Sequence, residues 1–348
     1  MTVKSFRKKG CLNVSKVLIT GVAGFLGSHI AERFLSEGHT VVGIDNLIGG
    51  YMENIPINVE FFEHDLSNLS ELRPIVKDVN LVIHSACTAY EGLSVFSPSL
   101  VAQNTSQITT NLLSASIQAG VKKFIFMSSM ARYGTQSTLP FVESMVPRPQ
   151  DPYGIAKLAS EMMVRNLSTV HGMDYTILVP HNIIGPRQKY DDPYRNVASI
   201  MINRFLHGKQ PIIYGDGNQK RCFSFIQDVI DPIYRACFEE AANSKVINIG
   251  PDEEFVSINE LAHTIASIMG TRCDPIYVED RPQEVIEANC SADLARKILG
   301  YQTQVRLKEG LEELINWISS QPRREFVYHL PLEIQNSKTP KTWSDKLI

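Results

Sequence analysis

Tyr153 and Lys157 stand four residues apart in Tyr-Gly-Ile-Ala-Lys, a stretch with helical character. That spacing puts both side chains on one helix face. An ammonium beside a phenol favours the phenolate, which turns a tyrosine of ordinary pKa about 10 into a usable base. Solvated helix edges carry the same pair, so its meaning depends on what the rest of the chain brings to it.

The first partner is a nucleotide site. Residues 16–20 form a short β-branched run, and Gly21-Val-Ala-Gly24-Phe25-Leu26-Gly27 follows at once. Residues 28–37 then show helical periodicity, closed by Gly38. A strand, a glycine loop and a helix N-terminus direct free backbone N–H groups and the helix dipole at a pyrophosphate. A second strand, 40–44, ends in Asp45, an acid placed to hold two ribose hydroxyls and to repel a 2′-phosphate. NAD is the cofactor this order predicts.

The elements that position these groups alternate. Strands are expected at 59–63, 81–84, 123–127 and 175–179, with helices at 69–76, 104–119 and from Tyr153 to about His171. Such alternation predicts a Rossmann-type, doubly wound parallel α/β sheet, with ligands beyond the strand carboxyl ends. Asp45, Asp65, Ser129 and the segment after Val179 all fall on that edge. The second half is less regular. Residues 185–196 are too polar and long for a plain connector. Helices are expected at 197–206, 258–269 (with Ser257 and Glu260 as a capping box) and 307–318. The division expected is a cofactor domain at 16–182, rejoined at about 222–250. A smaller, discontinuous α/β substrate domain takes 183–221 and 251–320. Residues 1–15 read as an extension, and 321–348 as a tail docked through Trp343.

Composition narrows the rest. The 348 residues are 43% apolar with a net charge of −3, which predicts neither nucleic-acid nor membrane-surface binding. Basic residues such as Arg7-Lys8-Lys9 read as solubilising a terminus. The six cysteines (11, 87, 222, 237, 273 and 290) have no paired spacing, so reduced thiols and no metal site are expected. With no apolar run of membrane-spanning length, the expected location is cytoplasmic.

Together, the glycine loop, Asp45, Asp65-Leu66, Ser128-Ser129, Tyr153-x-x-x-Lys157 and Asn182 resemble the extended short-chain dehydrogenases that act on nucleotide sugars, most nearly UDP-hexose 4-epimerases. The resemblance covers about residues 16–320. It implies that Tyr153 deprotonates the sugar 4-hydroxyl while hydride passes to NAD⁺, that Ser129 shares that proton, and that Lys157 lowers the phenol's pKa and holds the nicotinamide ribose. A 4-keto sugar would then be reduced on its other face. It implies further NAD contacts from Phe25, Leu26, Asn46 and Asp65, and from Leu66, Ala86 and Asn104. A homodimer is the family habit.

Departures from the family pattern sharpen the expectation. Where 4,6-dehydratases carry an Asp-Glu pair this chain has Met130 and Ala131, and the decarboxylases' Glu is also replaced by Ala131. Neither residue has a proton to give, so epimerisation is favoured. Ala89 stands where many galactose-type epimerases place a cofactor lysine. For the UDP-sugar, the resemblance assigns Asn182, Asn196 and Val197, and it puts Arg221 and Arg281 on the diphosphate, which guanidiniums grip as forks. Ala288, at the position that gates the sugar's 2-substituent, would admit 2-acetamido sugars. His181 reads equally as pocket wall or core histidine. Arg187, Lys189 and Arg195 would equally suit a uronate. A sugar-nucleotide reductase or dehydrogenase, and a non-catalytic NAD sensor, are the competing readings.

Overall fold

The computed structural model describes residues 14–348. Cys11 and the basic cluster at 7–9 lie outside the described residues. Seven parallel strands form the central sheet: β1 (Lys16–Thr20), β2 (Thr40–Asp45), β3 (Glu60–Glu63), β4 (Leu81–His84), β5 (Lys123–Met127), β6 (Asp174–Pro180) and β7 (Val246–Ile249). Their order is 7-6-5-4-1-2-3. The order reverses between β1 and β4, and that switch point opens a crevice at the strands' carboxyl ends.

Strand alternation explains why both faces are covered. Val17 and Ile19 of β1 and Ile125 and Met127 of β5 enter one apolar core, while Leu18, Phe124 and Phe126 enter the other. Burying a side chain of this size contributes about 1.5–3 kcal/mol, so a run buried on both faces specifies an inner strand. The fold is therefore a doubly wound α/β sheet.

The helices that bear on the site are α1 (Phe25–Ser36), α2 (Ile108–Ala119), α3 (Pro152–His171), α4 (Val197–Leu206), α5 (Ile258–Met269) and α6 (Leu307–Ser320). Ser257 and Glu260 make the expected capping box on α5. Two elements differ from expectation by more than two residues. Helix α1 begins three residues early, because the glycine loop itself supplies its first turn. The helix expected over 104–119 is broken: Pro98–Ala102 is α-helical, Gln103–Gln107 widens into a π-type turn, and α2 follows. Asn104 lies in that widened turn, a distortion frequent at functional sites, and its carbonyl accepts the Thr88 N–H at 3.2 Å.

Beyond β6 the chain forms short strand pairs. Ile212–Tyr214 runs beside Ile276–Val278, and Lys220–Arg221 lies between Val256–Ser257 and Glu287–Ala288. Residues of α4, α5 and α6 such as Ile202, Leu261 and Leu314 pack into the same core as Val17 and Ile19. Residues 321–348 are far more than a tail held at one point. Leu330, Trp343 and Ile348 are buried in a cluster with Tyr90, Phe96 and Tyr194. Among the described residues no helix is long and apolar enough to cross a membrane.

Candidate active site

A cavity of about 460 Å³ runs along the carboxyl edge of the sheet. Its cofactor end is built by the glycine loop. Gly21 adopts φ +73°, and a Cβ at Gly27 would lie 2.1 Å from the Gly21 carbonyl oxygen. Only hydrogen fits there, which lets α1 start hard against β1. Gly24 caps α1 without a side-chain bond, and the first turn carries no acid, so its N–H groups face the cavity unopposed. Asp45 accepts the Ala23 and Leu47 N–H groups at 2.9 and 2.8 Å. These bonds hold the carboxylate at the tip of β2, on the cavity wall where ribose hydroxyls would reach it. Burial pushes its pKa up against those backbone bonds. Asn46 donates to Asp65 at 3.1 Å. Burial opposes ionisation of Asp65, yet hydrogen bonds from Ser67 and Asn46 hold its carboxyl below the usual range. Phe25, Leu26, Leu66, Ala86 and Asn104 line the same cavity. These residues fit NAD.

The central wall carries the reacting groups. Asp151 caps α3 by accepting the Gly154 N–H at 2.9 Å, and Pro152 follows it, which fixes the turn bearing Tyr153. Ser129 follows the end of β5, where its hydroxyl accepts the Ala131 N–H at 3.2 Å. Ser129, Tyr153 and Lys157 all line the cavity. Lys157 is 1% exposed, which rules out a solvated helix edge. Beneath it, His84 bridges Thr20 and Thr109, and burial together with Lys157 pushes its pKa down to about 3.

One electrostatic expectation is corrected. The Lys157 ammonium donates to the Met127 carbonyl at 2.7 Å and stands 5.8 Å from the Tyr153 ring centre. Burial, reinforced by Cys87 and Glu91, pushes the Tyr153 phenol well above 10, and the opposing influences are Arg195 and a hydrogen bond with Ser129. Removal of the ring from water costs the phenolate more than the protein's own cations return.

The far end holds both arginines. Arg221 and Arg281 meet on Glu284, at 3.1 and 2.6 Å. Burial opposes ionisation of Glu284, but Arg281 and Arg221 hold it below its usual range. Arg221 also donates to the Val285 and Ile286 carbonyls. Asn182, at φ +42°, donates to the Cys222 carbonyl at 2.9 Å. Asn196 caps α4 through the Ala198 N–H, with Val197 beside it. All five line the cavity.

Other expectations fare differently. Ala288 is 5% exposed, pairs with Arg221 and packs into the second core, away from the cavity lining. The strand pairing sets Ala288 directly beside Arg221, with its small side chain buried among Phe141, Val285 and Cys290 of the second core. His181 bonds the Pro251 carbonyl at 2.9 Å and is a core histidine. Ala89 packs beside Tyr153. Arg187 pairs with Glu32 outside the cavity, whereas Lys189 lines it on Asp191. Arg195 lines it with no ion pair among the described residues.

Glu91 is the wall residue that motif reasoning missed. The residue is exposed along the cavity wall, where desolvation by the surrounding walls, then the charge of Asp151, pushes its pKa up to about 7. Cys87 also packs against Tyr153. Neither lies in a recognisable pattern, so only the sequence position just after β4 pointed to them. Among the described residues no cluster of metal-ligating side chains occurs.

Known proteins share this arrangement. The "NAD dependent epimerase/dehydratase family" matches residues 17–250. A putative UDP-glucose 4-epimerase of Methanocaldococcus jannaschii is 33% identical over 311 residues, 88% of this chain and 99% of that protein. The UDP-glucose 4-epimerase of Thermotoga maritima, solved with UDP-glucose, superposes with TM-score 0.82 at 32% identity, covering 87% of this chain and 98% of the other. The UDP-N-acetylglucosamine 4-epimerase of Methanobrevibacter ruminantium M1, solved with UDP-N-acetylmuramic acid, gives 0.81 at 30%, covering 88% and 99%. On sequence, fold and cofactor cradle alike, the chain is an enzyme of the NAD-dependent epimerase/dehydratase family.

Proposed function

We propose that the enzyme is a 4-epimerase of a UDP-hexose, acting on UDP-glucose/UDP-galactose or their 2-acetamido counterparts. The observation that carries this reading is one continuous cavity with a dinucleotide cradle at one end, an arginine pair at the other, and Ser129, Tyr153 and Lys157 between them. The similarity to 4-epimerases of UDP-glucose and UDP-N-acetylglucosamine supports the nucleotide and the carbon.

Bound NAD supplies a reversible hydride acceptor. The chain's own residues handle the proton and the pose. Arg221 and Arg281 grip the diphosphate, which places the hexose beside Tyr153. Tyr153 acts as its phenolate: it takes the 4-hydroxyl proton directly or through Ser129 while the hydride leaves C4, and the resulting phenol returns that proton when the 4-keto sugar is reduced. Lys157, anchored on Met127, keeps its remaining N–H groups for the nicotinamide ribose. Met130 and Ala131 are buried next to Ser129 and offer no acid for eliminating water, which favours inversion over dehydration.

A uronate is the second reading, favoured by Arg195, whose guanidinium has no ion pair among the described residues, lies over the Tyr90 ring and acts on Tyr153. Glu91 on the same wall opposes a carboxylated sugar. We also propose a homodimer through α3, where Ile155 and Met162 leave 53% and 64% of their surface exposed seven residues apart on one face.

The test is incubation of pure protein with UDP-glucose, UDP-N-acetylglucosamine and UDP-glucuronate, read by NMR. Inversion at C4, lost in Tyr153→Phe, is expected. Turnover unchanged in that variant would end the catalytic assignment.

A further inference from the structure

Residues 322–348 cross the molecule from the substrate lobe to the cofactor lobe and touch the walls of the cavity on the way. Tyr190 donates to the Pro322 carbonyl at 2.7 Å and Tyr194 to the Leu330 carbonyl at 3.1 Å. On the cofactor lobe Glu333 accepts the Ser99 and Leu100 N–H groups at 2.9 and 2.8 Å, and Ser97 donates to Pro331 at 2.5 Å. The segment then turns back, and Arg204 of α4 holds the Leu347 carbonyl at 3.2 Å.

Two of its residues reach the arginine that ends the cavity. Thr342 shares a short hydrogen bond with the Tyr214 hydroxyl, and the Arg281 guanidinium lies on the Tyr214 ring, 4.5 Å from its centre. A Cβ added to Gly92 would meet Arg281 Nη1 at 3.2 Å and the Trp343 ring at 3.3 Å, so arginine and indole converge on one glycine. Trp343 is 2% exposed and sits edge-on to Phe96 and Tyr194. Arg281 is therefore sandwiched: Glu284 fixes its charge, Tyr214 its plane, and the segment fixes Tyr214.

We infer that residues 322–348 are a strap that sets the diphosphate end of the substrate cavity, with Thr342 and Trp343 acting as positioning residues for Arg281 through Tyr214 and Gly92. A guanidinium recognises a diphosphate as a planar fork, so its orientation matters as much as its charge. A long arginine left free loses rotamer entropy on binding, and a braced one has already lost it. The inference rests on the UDP-sugar reading for the identity of the ligand.

The experiment uses the full-length protein and two probes, UDP by calorimetry and UDP-glucose by turnover. Thr342→Val keeps the shape and removes the hydroxyl; Tyr214→Phe removes the same bond from the other side. Each is expected to raise the Kd for UDP and the KM for UDP-glucose by about fivefold, with kcat within about twofold and bound NAD unchanged. In an Arg281→Ala background the Thr342→Val effect should vanish, a coupling that a purely structural brace does not produce. A lower Tm with unchanged Kd, or an equal loss in both backgrounds, overturns the strap. Wild-type protein that binds no UDP overturns the UDP-sugar reading itself, and the strap with it.

Discussion

The Lys157 ammonium sits 2.7 Å from the Met127 carbonyl oxygen and 5.8 Å from the centre of the Tyr153 ring. Lysine and tyrosine share a helix face, as their spacing demands, yet the lysine's nearest partner belongs to the end of β5. Its slot is almost wholly enclosed, so shape is constrained together with charge. Lys157→Arg should therefore fail to rescue: kcat/KM is expected to fall by about 10²-fold or more in both Lys157→Arg and Lys157→Met, within the range of a lost proton-transfer partner. Steady-state kinetics on the UDP-sugar that proves active checks this.

Arg195 is the cation that most lowers the Tyr153 pKa. Its removal raises the phenol's pKa further, so less base is present at any given pH. In Arg195→Gln the rising limb of the kcat/KM–pH profile should move to higher pH, with activity regained under alkaline conditions. A profile that keeps its shape and falls uniformly would show that Arg195 binds substrate without touching the base.

Glu91 offers a stability test with a defined sign. Its folded pKa, about 7, is above the ordinary glutamate value, so the folded state holds the proton more tightly than the unfolded chain. Stability is consequently lost as pH rises from the unfolded pKa to the folded one, and levels off above it. Glu91→Gln should raise Tm above pH 7 relative to wild type, and the gain should shrink towards pH 5. Calorimetry at several pH values measures it.

Gly27→Ala and Gly24→Ala separate packing from cofactor contact. A Cβ at Gly27 meets the Gly21 carbonyl carbon and oxygen at 2.7 and 2.1 Å, whereas at Gly24 the nearest atom is at 3.0 Å. Overpacking of this kind costs about 1–3 kcal/mol, so Gly27→Ala should lose both stability and bound NAD, and Gly24→Ala mainly NAD affinity. Thermal unfolding and the NAD content of purified protein distinguish them.

Met162→Lys addresses assembly. Placing a charge on the exposed apolar face of α3 should turn a dimer into a monomer, read by light scattering, with the described core untouched because Met162 already faces out. An unchanged mass would rule out this face as the contact.

Much of the molecule was legible in the chain because its signals are local. Strands 81–84 and 123–127, helix 197–206 and the capped helix at 258 appear at their expected bounds, since periodicity and capping act over a few residues. The break at Gln103–Gln107 was not legible: no Gly or Pro marks it, and it depends on the Thr88 N–H reaching Asn104 from another loop. The burial of Ala288 was not legible either, because it depends on the pairing of Glu287–Ala288 with Lys220–Arg221, a segment far away in the chain.

By itself, the sequence determined the doubly wound sheet, the NAD cradle and the shared helix face of Tyr153 and Lys157, because each follows from backbone geometry within one strand–loop–helix unit, while Ser129 joined them through the family resemblance. Only the tertiary structure decided what surrounds them. It enclosed Tyr153 enough to raise its pKa, set Glu91 and Arg195 on the same cavity wall, and laid residues 322–348 against the arginine end. Those outcomes depend on desolvation and on contacts between residues far apart in the chain, which no short-range pattern encodes.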